Sequence, residues 1–409
     1  MFYILPNTHT PLHPHLRLFF DSTTPPTEYI SNSLARLLYS IKENIRTREK
    51  EWDIYKKYTN NYEYIHTVIQ HKKKPVSKYK PLSRSYFKMV EMVHELQLLQ
   101  MKSCPSKPTS TFTKTPEYVN VLSPPIQTFH LAEGPGGFIE AVVNMRKNPH
   151  DTYYGMTILD EQNDYSIPAW KKSDYFLAAN PNVVIEKGAD GTGNILSIPN
   201  FEYCYTKYSS SMDFITADGG FDFSTDFNKQ ELNISRLLFA QIAYALIMQK
   251  HGGNFVLKIF DCFYAGTADL LFLLSSFYKT VYITKPQTSR TGNSEKYVVC
   301  KGFIYRSPDT FYPFIRDAFI QMEQNPDAYI YRFLRIEIPS VFVVKLEEYN
   351  AIFGQKQIEN IYNTLSLIEK NTKPDRIDTL IKHNIAKCIQ WCIRYNIPYY
   401  HTATNNTFL

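Results

Sequence analysis

IQTFHLAEGPGGFIEAVVNMR, residues 126–146, decides the fold. Residues 126–132, with Ile126, Phe129 and Leu131 as their large apolar side chains, form a short stretch that the following turn cuts off, which predicts a buried strand. Glu133-Gly-Pro-Gly-Gly-Phe138 then turns the chain, and the spacing after it predicts a helix over 137–146. Gly134, Gly136 and Gly137 carry no Cβ, so the backbone of this turn can approach a ligand closely. The spacing is not the G-x-G-x-x-G that seats a dinucleotide pyrophosphate on a helix N-terminus. A purely structural tight turn is the plainer alternative.

Outward from this unit, strands are predicted at 152–158, 182–187, 212–217, 254–259, 280–284 and 297–303, with helices at 228–250 and 267–277. That alternation predicts an α/β fold, a Rossmann-like and mainly parallel sheet covered on both faces. No helical pattern separates 280–284 from 297–303, so these strands form a long-looped hairpin and the last one runs antiparallel. On the N-terminal side, residues 103–125 read as a loop. Before them a helix starts near Ser83, with Tyr86, Met89, Val90, Val93 and Leu96 as its apolar stripe and Lys88 off that stripe. Lys72, Lys73, Lys74, Lys78 and Lys80 make a basic linker. An amphipathic helix is expected from Tyr29 through about Lys57, after an irregular stretch over residues 1–25. Beyond Arg306 the pattern turns mostly helical. The expected division is an N-terminal helical extension with its basic linker at 1–80, an α/β domain at 81–306, and a helical appendage packed on it at 307–409.

The 409 residues suffice for one large α/β domain with appended helices. A net charge of +6 suits a polyanionic partner without establishing one. The six cysteines are scattered, with no C-x-x-C pair and no His/Cys cluster at zinc spacing, so a reduced, metal-free chain is expected. Proline and histidine interrupt the first twenty residues where a signal peptide needs an apolar core, and no stretch approaches a membrane span. Neither export nor a membrane is expected.

Three charged residues fall at the edge of the predicted sheet where such folds bind ligands. Asp218 directly follows strand 212–217, and Lys258 closes strand 254–259. Glu295 precedes the reversed strand, whose beginning lies at that same edge. A lysine at a strand end is usually solvated, but Lys258 is embedded in Phe255-Val-Leu-Lys-Ile-Phe260. A second turn, Gly188 to Ile195, offers Asp190 and Asn194 at the same edge; an exposed glycine turn is the alternative.

On these residues the chain resembles the FtsJ-like RNA ribose 2′-O-methyltransferases, and it is especially similar to those that form cap 1 on mRNA. The resemblance rests on Lys88 in SRSYFKM, the loop from Glu133 to Phe138, Asp218 in ADGGF, Lys258 in LKIFD, and Glu295 in KPQTSRTGNSEKYVVCKG. The last string is the most specific, and the likeness runs over roughly residues 80–398. It implies S-adenosylmethionine as cofactor, released as S-adenosylhomocysteine, with no metal. The implied cofactor site comprises Ser83, Glu133, Gly134, Pro135, Gly136, Gly137, Phe138, Asn194, Ile195 and Asp218.

The resemblance further implies methyl transfer to the ribose 2′-hydroxyl of the first transcribed nucleotide of capped mRNA. Lys88, Asp218, Lys258 and Glu295 would be the catalytic tetrad, with Lys258 as the general base. Capped RNA is the implied substrate, and other capping or transcription proteins are expected partners. Arg84, Lys285, Arg290 and the lysines at 72–74 are candidate RNA contacts, and Asp226 is a candidate for the cap base. The alternatives are a methyltransferase of ribosomal or transfer RNA and a non-catalytic RNA-binding subunit. Cap enzymes of this kind occur in nuclei and in large DNA viruses that replicate in the cytoplasm. Without a clear nuclear import signal, the cytoplasm is the expected place of action.

Overall fold

A single eight-stranded sheet positions everything that follows. The computed structural model describes residues 2–99, 123–159, 169–220, 227–370 and 374–400. Its strands are β1 (Phe2–Leu5), β2 (Leu16–Asp21), β3 (Gln127–Leu131), β4 (Thr152–Met156), β5 (Val183–Ile185), β6 (Met212–Ala217), β7 (Gln249–Ile259), β8 (Tyr278–Thr284), β9 (Lys296–Phe303) and β10 (Tyr329–Leu334). The helices on the N-terminal side are α1 (Asn32–Arg46), α2 (Glu49–Tyr55), α3 (Ser85–Leu96), α4 (Gly137–Arg146), α5 (Asp174–Ala179) and α6 (Ile198–Tyr208). Those that follow are α7 (Gln230–Asn233), α8 (Ser235–Met248), α9 (Ala265–Ser275), α10 (Tyr312–Gln324), α11 (Ser340–Glu369) and α12 (Pro374–Arg394).

The strand order is β1-β8-β9-β7-β6-β3-β4-β5. Pairs from β7 to β5 are parallel, and β9 runs antiparallel to both of its neighbours, as the missing helix before it requires. From β3 the chain adds β4 and β5 on one side, then returns to lay β6 on the other. The cleft outside the carboxyl ends of β3 and β6 is therefore a topological switch point, where such sheets bind ligands.

Alternating side chains feed two cores. Phe129, Ile215 and Leu257 pack with α8 and α9, while Phe214, Val256 and Val299 pack with α3, α4 and α12. α8 and α9 are buried almost all round because they lie between the sheet and outer elements. Each fully buried large apolar side chain in these layers contributes roughly 1.5–3 kcal/mol.

Two expectations are corrected, and three elements, β10, α5 and α6, are added to those expected. Residues 1–25 are not irregular: β1 joins the sheet as an antiparallel edge on β8, and β2 pairs with β10. Both strands are stabilised by partners far along the chain, so neither carries a local signature. The expected helix through Lys57 is broken at Thr47 and Arg48 into α1 and α2. The mostly helical C-terminal region contains the strand β10, and two helices, α5 and α6, had no counterpart in the sequence reading. The expected loop at 103–125 lies almost wholly outside the described residues.

Candidate active site

The four charged residues converge at the switch point. Lys88, although off the apolar stripe of α3, is buried because residues 285–295 and β9 close over that side of the helix. Its Nζ lies 2.6 Å from Oε1 and 2.8 Å from Oε2 of Glu295. Ser289 Oγ donates to Glu295 Oε1 at 2.8 Å. On the other side, Lys258 Nζ stands 3.3 Å from Asp218 Oδ1 and donates to the Asp218 carbonyl at 2.6 Å.

Tyr297 joins the two pairs, and the sequence reading missed it. Antiparallel register sets Tyr297 directly opposite Lys258. Its hydroxyl donates to Asp218 Oδ1 at 3.2 Å and accepts from Lys88 Nζ at 3.4 Å. The available signal was spacing: Tyr297 lies two residues beyond Glu295, and such residues share one face of a strand.

Two amines and two carboxylates make the buried charge balanced, the condition a low-dielectric site tolerates. Burial lowers the Lys88 ammonium below the ordinary lysine value, and Glu295 and Asp218 return only part of that cost. Burial acts to raise Glu295, but the attraction of Lys88 and Lys258 outweighs it and holds the carboxylate below its ordinary value. Burial, with the charges of Asp218 and Glu295, pushes the Tyr297 phenol well up, so it remains a neutral donor.

The glycine turn packs closely against the rest of the protein. A Cβ on Gly134 would meet the Ala169 carbonyl oxygen at 2.2 Å, and one on Gly137 would meet the Ser83 and Ser85 hydroxyls at 2.2 Å. Gly136 has φ +100°, and a Cβ there would meet the Trp170 ring at 2.9 Å. At these glycines the protein's own backbone and side chains come close, so the turn sits tightly against α3 and residues 169–170. Pro135 accepts from Ser173 Oγ, and Phe138 is fully buried under the turn.

Glu133 is held from behind. His130 Nδ1 lies 2.7 Å from Glu133 Oε1 and 2.7 Å from Thr216 Oγ1, and its Nε2 lies 2.9 Å from Thr128 Oγ1. Burial pushes His130 down to about 3 and the Glu133 carboxyl well up, which favours an uncharged pair. Among the described residues, Glu133 Oε2 and Trp170 Nε1 are buried without partners. An open acceptor and an open donor beside the switch point fit a cofactor bearing hydroxyls and an ammonium, and S-adenosylmethionine carries both.

The remaining candidates separate. Gly193 presses on the Thr157 carbonyl, so the turn after β5 reaches the end of β4 as expected. Within that turn Asn194 Oδ1 accepts from the Leu196 amide, Ile195 is buried in the core, and Asp190 is consumed by Thr192, Ser197 and Asn200. Lys285 donates to the carbonyls of Asn293 and Glu295 at 2.8 and 2.6 Å. Arg290 grips Glu63 with two bonds, and Arg84 donates to the Thr288 carbonyl. These three basic groups brace the segment leading to Glu295 in this conformation. Asp226 lies outside the described residues.

A profile of the FtsJ-like methyltransferase family matches residues 81–303, more than half of the chain. Cap-specific mRNA (nucleoside-2′-O-)-methyltransferase 2 of Drosophila melanogaster is 28% identical over 268 residues, covering 63% of this chain and 38% of that protein. Cap-specific mRNA (nucleoside-2′-O-)-methyltransferase 1 of Trypanosoma brucei brucei is 30% identical over 195 residues, 46% of this chain and 52% of that protein. The corresponding enzyme 1 of Ailuropoda melanoleuca is 39% identical over 178 residues, 41% and 20% of the two chains. The chain thus spans about half or less of the length of these relatives.

Proposed function

The chain belongs to the FtsJ-like methyltransferase family, and from that premise we propose that it methylates the ribose 2′-hydroxyl of the first transcribed nucleotide of capped mRNA. One observation carries the chemistry: two lysine–carboxylate pairs meet at the switch point and are joined by Tyr297. The names of the relatives, which specify cap-directed 2′-O-methylation, support the substrate.

A ribose hydroxyl is a poor nucleophile near neutral pH, so the protein must align it and remove its proton. S-adenosylmethionine, when bound, supplies an activated methyl on a sulfonium. Glu133, the turn after it and the Asp218 strand end would hold that cofactor. Lys258 is assigned as the base that accepts the 2′-hydroxyl proton, a role that requires a neutral amine at the moment of transfer. Asp218 fixes the direction of Nζ through its carboxylate and carbonyl oxygens. Lys88, oriented by Glu295 and Tyr297, steadies the ribose oxygen or the adjacent phosphate. Gly220 keeps the side of Lys258 clear, since a Cβ there would stand 3.1 Å from Nζ.

Transfer of labelled methyl to a short m7G-capped RNA tests the reading against the same RNA bearing a 5′ triphosphate. The capped RNA should react at least ~100-fold faster, a gap of ~2.7 kcal/mol. Equal rates, or methylation only at internal riboses, would reject the cap assignment. Binding of S-adenosylmethionine without transfer to any RNA would reject catalysis.

A further inference from the structure

Five lysines fall within nine residues just before the reaction centre: Lys72, Lys73, Lys74, Lys78 and Lys80. Against a net charge of +6 for the whole chain, this is a steep local concentration. Such runs are usually loose and solvated, because like charges repel and a disordered segment lets them separate. This one is held in place.

Ile69 and Lys74 form a β-bridge, and the Lys72 amide donates to the Ile69 carbonyl at 3.0 Å. Val76 and Ser77 are buried and donate to the Tyr64 and Ile65 carbonyls. Lys78 donates to the Pro398 carbonyl at 2.8 Å, while the Tyr400 amide donates back to Val76 at 2.9 Å. Lys73 adopts the left-handed region at φ +53°, uncommon for a residue with a side chain. Lys73, Lys74, Lys78 and Lys80 are nevertheless exposed. Two of the ammonium groups share one ring, Lys74 Nζ lying 4.2 Å and Lys78 Nζ 5.6 Å from the Tyr400 centroid. Among the described residues, none of the five lysines forms an ion pair. The fold therefore gathers positive charge and leaves it unneutralised.

The array also leads to the site. Tyr79 and the Leu82 amide both bond Glu140 on α4, at 2.7 and 2.8 Å. The next residue, Ser83, packs against Gly137 of the glycine turn. The lysine run thus ends at the mouth of the cleft that contains Lys88 and Lys258.

We propose that residues 72–80, with Tyr400, form a docking track for the phosphodiester backbone of the RNA body downstream of the methylated nucleotide. The proposal rests on the RNA methyl-transfer reading above and extends it from the reacting ribose to the rest of the strand. A concentration of exposed lysines on a pinned backbone, outside any ion pair among the described residues, suits a chain of phosphates, and continuity with the cleft selects RNA over an acidic protein.

The test is equilibrium binding of fluorescent RNA across a salt series, using a capped trinucleotide and a capped 20-mer. The variant is Lys73→Glu/Lys74→Glu/Lys78→Glu, and Lys73→Gln/Lys74→Gln/Lys78→Gln serves should the first fold poorly. The 20-mer should lose at least ~10-fold in affinity, and its slope of log K against log salt should fall by about 2, as expected for three lost contacts to a single strand. The trinucleotide, with almost no body to follow the track, should bind as before, and S-adenosylmethionine affinity and Tm should hold. Equal loss for both RNAs, no loss for the 20-mer, or loss toward polyglutamate but not RNA would each overturn the track. The methyl-transfer reading fails separately, if the wild-type protein binds capped RNA and S-adenosylmethionine yet transfers no methyl.

Discussion

The two lysine–carboxylate pairs use the same residue types, yet they are built differently. Lys88 is closed onto both oxygens of Glu295, whose other support is the Ser289 hydroxyl. Lys258 stands farther from the Asp218 carboxylate and takes its closest bond from that residue's backbone oxygen. A closed pair spends its charge on holding two elements together, here α3 and the start of β9. A looser pair keeps an amine aimed by one neighbouring residue, here with Gly220 close beside it. Under the proposed function this difference fits Lys258 as the base and Lys88 as the braced amine that steadies the substrate, although composition and position alone would rank the two pairs equally.

The largest expected effect breaks the closed pair. Glu295→Gln takes the nearest carboxylate from the buried Lys88 ammonium, leaving it the more distant Asp218 charge and the Tyr297 hydroxyl, and should destabilise the fold by about 3–5 kcal/mol, read by urea unfolding. The pH dependence follows from the lowered Glu295 carboxyl. Its contribution is fully present above the unfolded carboxylate value of about 4.3, and it is lost as pH falls through the lower folded value. The gap between wild type and variant should therefore be widest near pH 7 and shrink on acidification below about pH 4. A gap that stays constant would mean the pair is not coupled to folding.

Lys258→Ala should strike rate instead, reducing methyl transfer by ~100-fold or more while S-adenosylmethionine affinity by calorimetry stays near wild type. Retention of more than roughly a tenth of the wild-type rate would take the base assignment from Lys258 and erase the contrast. Tyr297→Phe removes the hydroxyl that bonds both Lys88 and Asp218. A loss of about tenfold in rate, ~1.4 kcal/mol, with stability changed by no more than ~1 kcal/mol, would sharpen the contrast; an unchanged rate would show that the pairs act independently. The smallest effect is expected of Ser289→Ala, about 1 kcal/mol in stability for one hydrogen bond to a charged group that keeps its main partner, with the rate little altered.

Much of the scaffold was readable in advance, for a reason visible in particular elements. α4 and β6 occupy the residues the spacing indicated, 137–146 and 212–217. The reversal of β9 followed from the missing helix before it. Such features are written in periodicity and turn residues a few positions apart. The short strands β1, β2 and β10 were not readable, because each exists only through a partner hundreds of residues away. Tyr297 escaped notice for the same kind of reason: nothing in its neighbours marks it, and its role arises where β9 passes opposite Lys258.

Local sequence, then, determined the strand–turn–helix unit, the mainly parallel sheet and the edge at which Asp218, Lys258 and Glu295 stand, since backbone propensity and side-chain period act over a handful of residues. Only the tertiary structure decided which lysine closes on which carboxylate, that the turn glycines accommodate Ala169, Trp170 and Ser83, and that the lysines from 72 to 80 are pinned rather than loose. Those outcomes depend on burial and on contacts between distant segments, and the free energy of such contacts is defined once the chain has packed.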